Sequence, residues 1–211
     1  MLNRPSNTQI GIGLLWLFHI SGIIGISLGY KEWFVSRTSM NLFVLIMVLM
    51  LFFPLDTIKK ISIFLIVGIL GFIAEYLGVN YGLFFGSYSY GENLGTKFFG
   101  VPWLIGANWA MLTFITGCIA SKFLSNMWLK ALIGTSLMLI LDVFMEKIAP
   151  IFDFWEFEGG IAPIDNYLAW GAFAYAFQLL YHRFDIKGNF VLSAHMLAVQ
   201  LVFFIYFYVY F

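Results

Sequence analysis

Seven apolar stretches follow one another along this chain, near 10–29, 35–53, 61–79, 102–120, 129–148, 164–181 and 190–211. Each is close to the ~20 residues an α-helix needs to cross a bilayer. In hydrocarbon every backbone N–H and C=O must find its partner within the chain, which leaves only helices and closed barrels. Barrel strands alternate over ~10 residues, and nothing here alternates that way. The sequence therefore predicts an all-α polytopic membrane helix bundle of about seven transmembrane helices, a single integral-membrane domain over 1–211. The first stretch is too long for a signal-peptide core and has no small-residue cleavage site, so it counts as a span.

Composition agrees. Charged residues make up 10% of the chain and hydrophobic residues 62%, against about 25% charged in globular domains. A formal net charge of zero argues against a nucleic-acid partner and leaves the lipid bilayer as the expected one. The single cysteine, Cys118, lies in an apolar run and has no partner for an internal disulfide. Aromatic residues reach 20%, which suits a bilayer and equally suits a pocket for a long apolar ligand.

The short connections 56–60, 121–130 and 182–188, placed with the N-terminus, put Arg4, Lys59, Lys60, Lys122, Lys130, Arg183 and Lys187 on one side. Lys31, Arg37, Lys97 and Lys147 fall on the other. The positive-inside rule then predicts a cytoplasmic N-terminus and a C-terminus outside, and the expected location is a bacterial-type cytoplasmic membrane. Two connections on the second side differ from the rest. Residues 80–101 and 150–163 are too apolar for free solvent loops and too Gly-rich for stable helices. Irregular backbone at membrane depth survives where it is buried in protein or lines a cavity. Two partly re-entrant aromatic, Gly-rich loops closing one mouth of the bundle are expected.

Six of the eleven acidic residues sit between 141 and 170: Asp142, Glu146, Asp153, Glu156, Glu158 and Asp165. Asp142 and Glu146 are four apart on one predicted helix, hence on one face. Carboxyls at bilayer depth need a partner, a proton or a water-filled cavity, and are functional candidates by default. Two so close cannot both carry charge cheaply, so one keeps its proton, an arrangement that suits an acid beside a base. Glu146 precedes Lys147, and an interfacial ion pair is its alternative role. Glu75 ends the third stretch with Gly71 and Gly78 at helical spacing, a small-residue face that admits a close neighbour. It reads as a buried acid facing a cavity, or as an interfacial carboxyl paired with a lysine or Tyr76.

Asp153, Glu156 and Glu158 alternate with Phe154, Trp155 and Phe157. Water-facing acids between headgroup aromatics is the simpler account of Glu156 and Glu158, with Asp153 evenly placed between that and a site. Asp165 follows Pro163, where it can cap a helix. His19 and His195 lack a second His or Cys at ligand spacing, so no metal site is expected. Asn108 and Gln200 read as interhelical hydrogen-bonding residues. No nucleotide loop or nucleophile elbow is present, and no cofactor is expected. What remains is acid–base work on a membrane-soluble substrate, or proton-coupled transport.

The stretch EYLGVNYGLFFGSYSYGENLGTKFFGVPWLIGANWAM carries Glu75, then Phe85–Gly86, Tyr88, Tyr90, Leu94–Gly95 and Gly100–Val101–Pro102. It resembles the signature of the integral-membrane carotenoid biosynthesis proteins of the CruF-type carotenoid hydratases. LDVFMEKIAPIFDFWEFEGGIAPIDNYLAWG resembles their second signature through Asp142, Glu146, Phe154–Trp155, Pro163, Asn166 and Trp170. Lys147 stands where the family often has Pro. The likeness in motifs covers roughly 60–181.

The resemblance implies water addition across the terminal C1–C2 double bond of an acyclic carotenoid end group, of the lycopene or γ-carotene type, giving a tertiary alcohol. It also implies possible contact with other carotenoid enzymes. On this reading Asp142 is the general acid, with Glu75 orienting water or acting as base and Glu146 beside them. Tyr88, Tyr90, Asp153, Trp155, Asn166 and Trp170 line the substrate site. Lycopene cyclase uses the same first protonation and is the alternative enzyme. A proton-coupled transporter, for which no internal repeat is found, and a non-catalytic carotenoid-binding subunit are the other readings.

Overall fold

A computed structural model describes residues 7–211. Arg4, one of the basic residues counted above, lies outside them. The helices are α1 (Asn7–Ser27), α2 (Lys31–Val35), α3 (Thr38–Phe52), α4 (Ile58–Tyr81), α5 (Trp103–Phe123), α6 (Met127–Ile148), α7 (Ile164–Arg183) and α8 (Phe190–Tyr210). The seven long helices match the seven apolar stretches of the sequence. Five of them, α1, α4, α5, α6 and α8, are long and apolar enough to cross a membrane; α3 is shorter at 15 residues, and α7 is less apolar. The architecture is an all-α membrane helix bundle. The short α2 does not appear in the sequence reading: its one and a half turns occupy what reads as the connection after the first stretch and end on the first residue of the second.

Polar residues set the helix starts. The Thr57 hydroxyl accepts from the Lys60 N–H ahead of α4, Asn126 accepts from the Trp128 and Leu129 N–H groups ahead of α6, and Asn189 accepts from Leu192 N–H ahead of α8. α7 instead begins directly after Pro163 with no side-chain cap, so Asp165 sits exposed in its first turn rather than capping it. Gly82, at φ 65°, closes α4 in the left-handed conformation that a Cβ disfavours.

α5 is the axis of the bundle. Most of its length is buried, whereas about two thirds of α1, α4, α6 and α8 is not fully buried, and their exposed positions are mainly Leu, Ile and Val. A helix apolar on all sides suits such a position, facing protein or lipid all round. α4 reaches α5 through facing glycines: a methyl group on Gly106 would meet the Gly68 carbonyl at 2.6 Å.

Between α4 and α5, and between α6 and α7, the two loops contain short strands. β1 (Tyr88–Tyr90) runs antiparallel to β4 (Trp155–Phe157), pairing Tyr88 with Phe157 and Tyr90 with Trp155. β2 (Lys97–Phe98) and β3 (Val101–Pro102) form a second small pair. The loops thus share one end of the bundle, as expected, but are joined by a β ladder. In YSY and WEF the middle residue faces out and its neighbours face in. Glu156 and Glu158 are exposed.

Candidate functional site

Glu75 is 3% exposed, one and a half turns before the end of α4. Its small-residue face is used as the spacing suggests. A methyl on Gly71 would come within 2.6 Å of Trp109, and one on Gly78 within 2.7 Å of Phe85 and 3.0 Å of the Tyr88 hydroxyl. Trp109 and Tyr88 therefore reach the carboxyl from either side. Trp109 Nε1 donates to Glu75 Oε1 at 2.9 Å, and the hydroxyls of Tyr88 and Tyr90 donate to Oε2 at 2.5 and 2.8 Å. Strand alternation places both phenols on one face of β1. All three donors are neutral. Neither a lysine nor Tyr76 is the partner; Tyr76 pairs with the Tyr81 hydroxyl instead.

Tyr88 and Tyr90 lie outside the spans. Burial, with the Glu75 carboxyl next to them, pushes both phenols above their ordinary range.

Glu146, on α6, accepts from Trp155 Nε1 at 3.0 Å and from Asn166 Nδ2 at 2.9 Å. Lys147 turns away: its Nζ donates to the Tyr208 carbonyl at 2.7 Å and lies 4.6 Å from the Tyr208 ring centre. The ion pair that the sequence allowed between neighbours is not formed, because successive helical residues point about 100° apart.

Trp170 stacks on Trp109 with ring centres 3.8 Å apart at 22°. Glu75, Tyr88, Tyr90, Trp155, Glu146, Asn166, Trp109 and Trp170 all line one cavity of about 400 Å³, with Phe85, Phe152, Phe154 and Phe157 forming much of the wall beside them. That volume falls within the ~300–1,000 Å³ of small-ligand sites. The cavity continues to α1 and α3, where His19 and Asn41 also face it, as does Gln200 of α8. His19 Nδ1 donates to the Leu15 carbonyl at 2.8 Å, which leaves Nε2 to accept from Asn41 at 3.5 Å.

Two candidates are placed elsewhere. Asp142 is 1% exposed and lies one turn behind Glu146, outside the cavity lining. Neither of its oxygens has a hydrogen-bond partner among the described residues. Asp153 is exposed and also outside the lining. Its carboxylate accepts from Glu92 N–H at 2.8 Å, and Asn93 donates to the Phe152 carbonyl at 3.0 Å, so this turn ties the two loops together. The sequence reading passed over Trp109, although it lies within the first signature stretch. Only its position opposite Gly71, on another helix, reveals its role.

Chemically, the site offers two carboxyls on the wall and a third behind them. The wall carboxyls are held by neutral donors, with aromatic faces around an otherwise apolar space. Among the described residues no three His, Cys, Asp or Glu side chains gather as a metal-binding group.

Residues 36–211 match the sequence model of a family described as carotenoid biosynthesis protein. No curated protein and no solved structure matches the chain.

Proposed function

The chain belongs to the carotenoid biosynthesis protein family, and from that premise we propose that it is a carotenoid hydratase. It adds water across the terminal C1–C2 double bond of an acyclic end group and yields a tertiary alcohol. The observation that carries this reading is the pair of cavity-wall carboxyls, Glu75 and Glu146, bonded only to neutral donors in an aromatic pocket. An ion pair would spend these carboxyls on a structural contact; neutral donors leave them able to exchange a proton.

Protonation of the alkene at C2 consumes one carboxylic-acid proton and leaves a tertiary cation at C1. Water attacks C1, and its surplus proton passes to a carboxylate. No net proton is used, so the site resets by moving one proton between its own carboxyls. An ionised carboxylate buried without partners is far more costly than the neutral acid. Asp142 is thus the proton store, and Glu146, one turn nearer the cavity, is the group that presents the proton. Glu75 has both oxygens fixed by three donors and keeps a lone pair for the water. Trp155, Trp170 and the two tyrosines face the cation, each aromatic face contributing about 0.5–2 kcal/mol. In the membrane the proposed orientation is N-terminus cytoplasmic, with the site towards the outer side.

The test is pigment analysis, by chromatography with mass detection, of a lycopene-accumulating bacterial host expressing the chain. A product heavier by one water is expected. Glu146→Gln and Asp142→Asn should retain bound pigment while conversion falls by roughly 10²–10⁴-fold. An isomer of unchanged mass would replace hydration by cyclisation, and pigment bound but never converted would make the protein a carrier.

A further inference from the structure

We propose that the cavity receives its ligand sideways, from the bilayer, through a mouth between α1 and α3. This rests on reading the cavity as a site for a long apolar chain. Lining residues contributed by α4 to α8 and the two loops are all buried or half-buried. Four lining residues are exposed: Leu17 at 60%, Trp33 at 57%, Met40 at 47%, and Arg37. All four come from α1, α2, the α2–α3 turn and the start of α3. A side chain that is both cavity wall and outer surface marks where the cavity reaches the outside, and these four all fall on the segment from α1 to the start of α3.

The depth of that place identifies what lies against it. Leu17 precedes the end of α1 at Ser27 by ten residues, which at 1.5 Å per residue is ~15 Å along the helix. The lower part of the mouth therefore faces acyl chains. Its upper rim is the pair formed by the Arg37 guanidinium, 5.4 Å from the Trp33 ring centre, residue types that settle at the headgroup level. The occupant this fits is a linear, membrane-dissolved polyene. Only one end needs to enter: that end reaches Glu75 and Glu146, and the rest of the chain stays in lipid. A cavity much shorter than the ligand is then sufficient, and no apolar surface has to pass through water.

The test uses the full chain in phosphatidylcholine vesicles carrying lycopene, with Cys118 replaced by Ala. Leu17→Cys and Met40→Cys, each coupled to pyrene maleimide, block the mouth. Leu132→Cys, on the lipid-facing side of α6 and outside the cavity lining, carries the same label as a control. Pigment uptake, followed by absorbance of the carotenoid that copurifies, should slow about tenfold with the label at 17 or 40 and remain unchanged with it at 132. Uptake unchanged at both mouth positions, or slowed equally at 132, overturns the proposal. Uptake is read without chemistry, so pigment that enters but is not hydrated counts against the hydratase reading alone. Met40→Trp fills the mouth without a label and should slow uptake in the same direction; normal uptake by this variant also overturns the proposal.

Discussion

At the scale of single residues, the site is governed by what each carboxyl has for a partner. Glu75 collects two phenols and an indole, Glu146 an indole and an amide, and Asp142 no hydrogen-bond partner among the described residues. The phenols lend themselves to a direct check. Burial and the neighbouring Glu75 favour the neutral phenol in the folded protein, so the folded pKa values of Tyr88 and Tyr90 lie above the unfolded one. Their contribution to stability is therefore complete below the ordinary phenol value of about 10, and is lost as pH rises beyond it towards the folded value. In an alkaline ultraviolet titration of the native protein, neither phenol should ionise before unfolding. The number of tyrosines titrating in the native state should accordingly be the same for the wild type and for Tyr88→Phe/Tyr90→Phe. A smaller number in the double variant would mean that one of these phenols is open to solvent.

At the scale of elements, α4 shows how a glycine spacing becomes a face of the candidate site. Glu75 is reachable because Gly71 and Gly78 remove the side chains that would otherwise hold Trp109 and Tyr88 away. Gly78→Ala puts a methyl against Phe85 and the Tyr88 hydroxyl, an overpacking that costs about 1–3 kcal/mol, and moves the phenol off the carboxyl. We expect a lower melting temperature in detergent together with loss of conversion. Gly13→Ala on α1 meets nothing within 4 Å and should be neutral or more stable by roughly 0.4–1 kcal/mol. Equal destabilisation by both variants would show that the close approach at Gly78 is not what matters. The β ladder plays a comparable part between the loops. It fixes Tyr90 opposite Trp155, so that a donor to Glu75 and a donor to Glu146 arrive on one short pair of strands.

At the scale of the whole molecule, the ends of the bundle differ in charge and in covering. Lys59 and Lys60 at the start of α4, Lys122 at the end of α5, and Lys130 at the start of α6 lie at the end away from the loops. Asp185, bound to Lys187 at 2.6 Å, is at that end too. If this end is cytoplasmic, a membrane-impermeant maleimide applied to intact cells should label Gly159→Cys, in the second loop, and spare Ser125→Cys, between α5 and α6. Both positions are exposed; Cys118→Ala serves as the background. The reverse pattern would invert the orientation and place the candidate site at the cytoplasmic side.

The sequence by itself determined the class of the molecule and named most of the residues that meet at the candidate site. Backbone hydrogen bonding in hydrocarbon leaves a chain with seven apolar runs little choice but a helix bundle, and a carboxyl within such a run is too costly to be incidental. Glu75, Glu146, Tyr88, Tyr90, Trp155, Asn166 and Trp170 were legible on those grounds and from the family resemblance, and the structure gathers them around one cavity. Only the tertiary structure decided which carboxyl faces that cavity. Asp142 and Glu146 share a helix face, and the packing of α6 against its neighbours places Glu146 on the wall and Asp142 one turn behind it. It also decided that Lys147 serves Tyr208, that Asp153 ties the loops, that Trp109 bonds Glu75, and that the exposed lining residues all come from α1 to α3. Each depends on residues distant in the chain meeting across helices, and local spacing carries no record of such meetings.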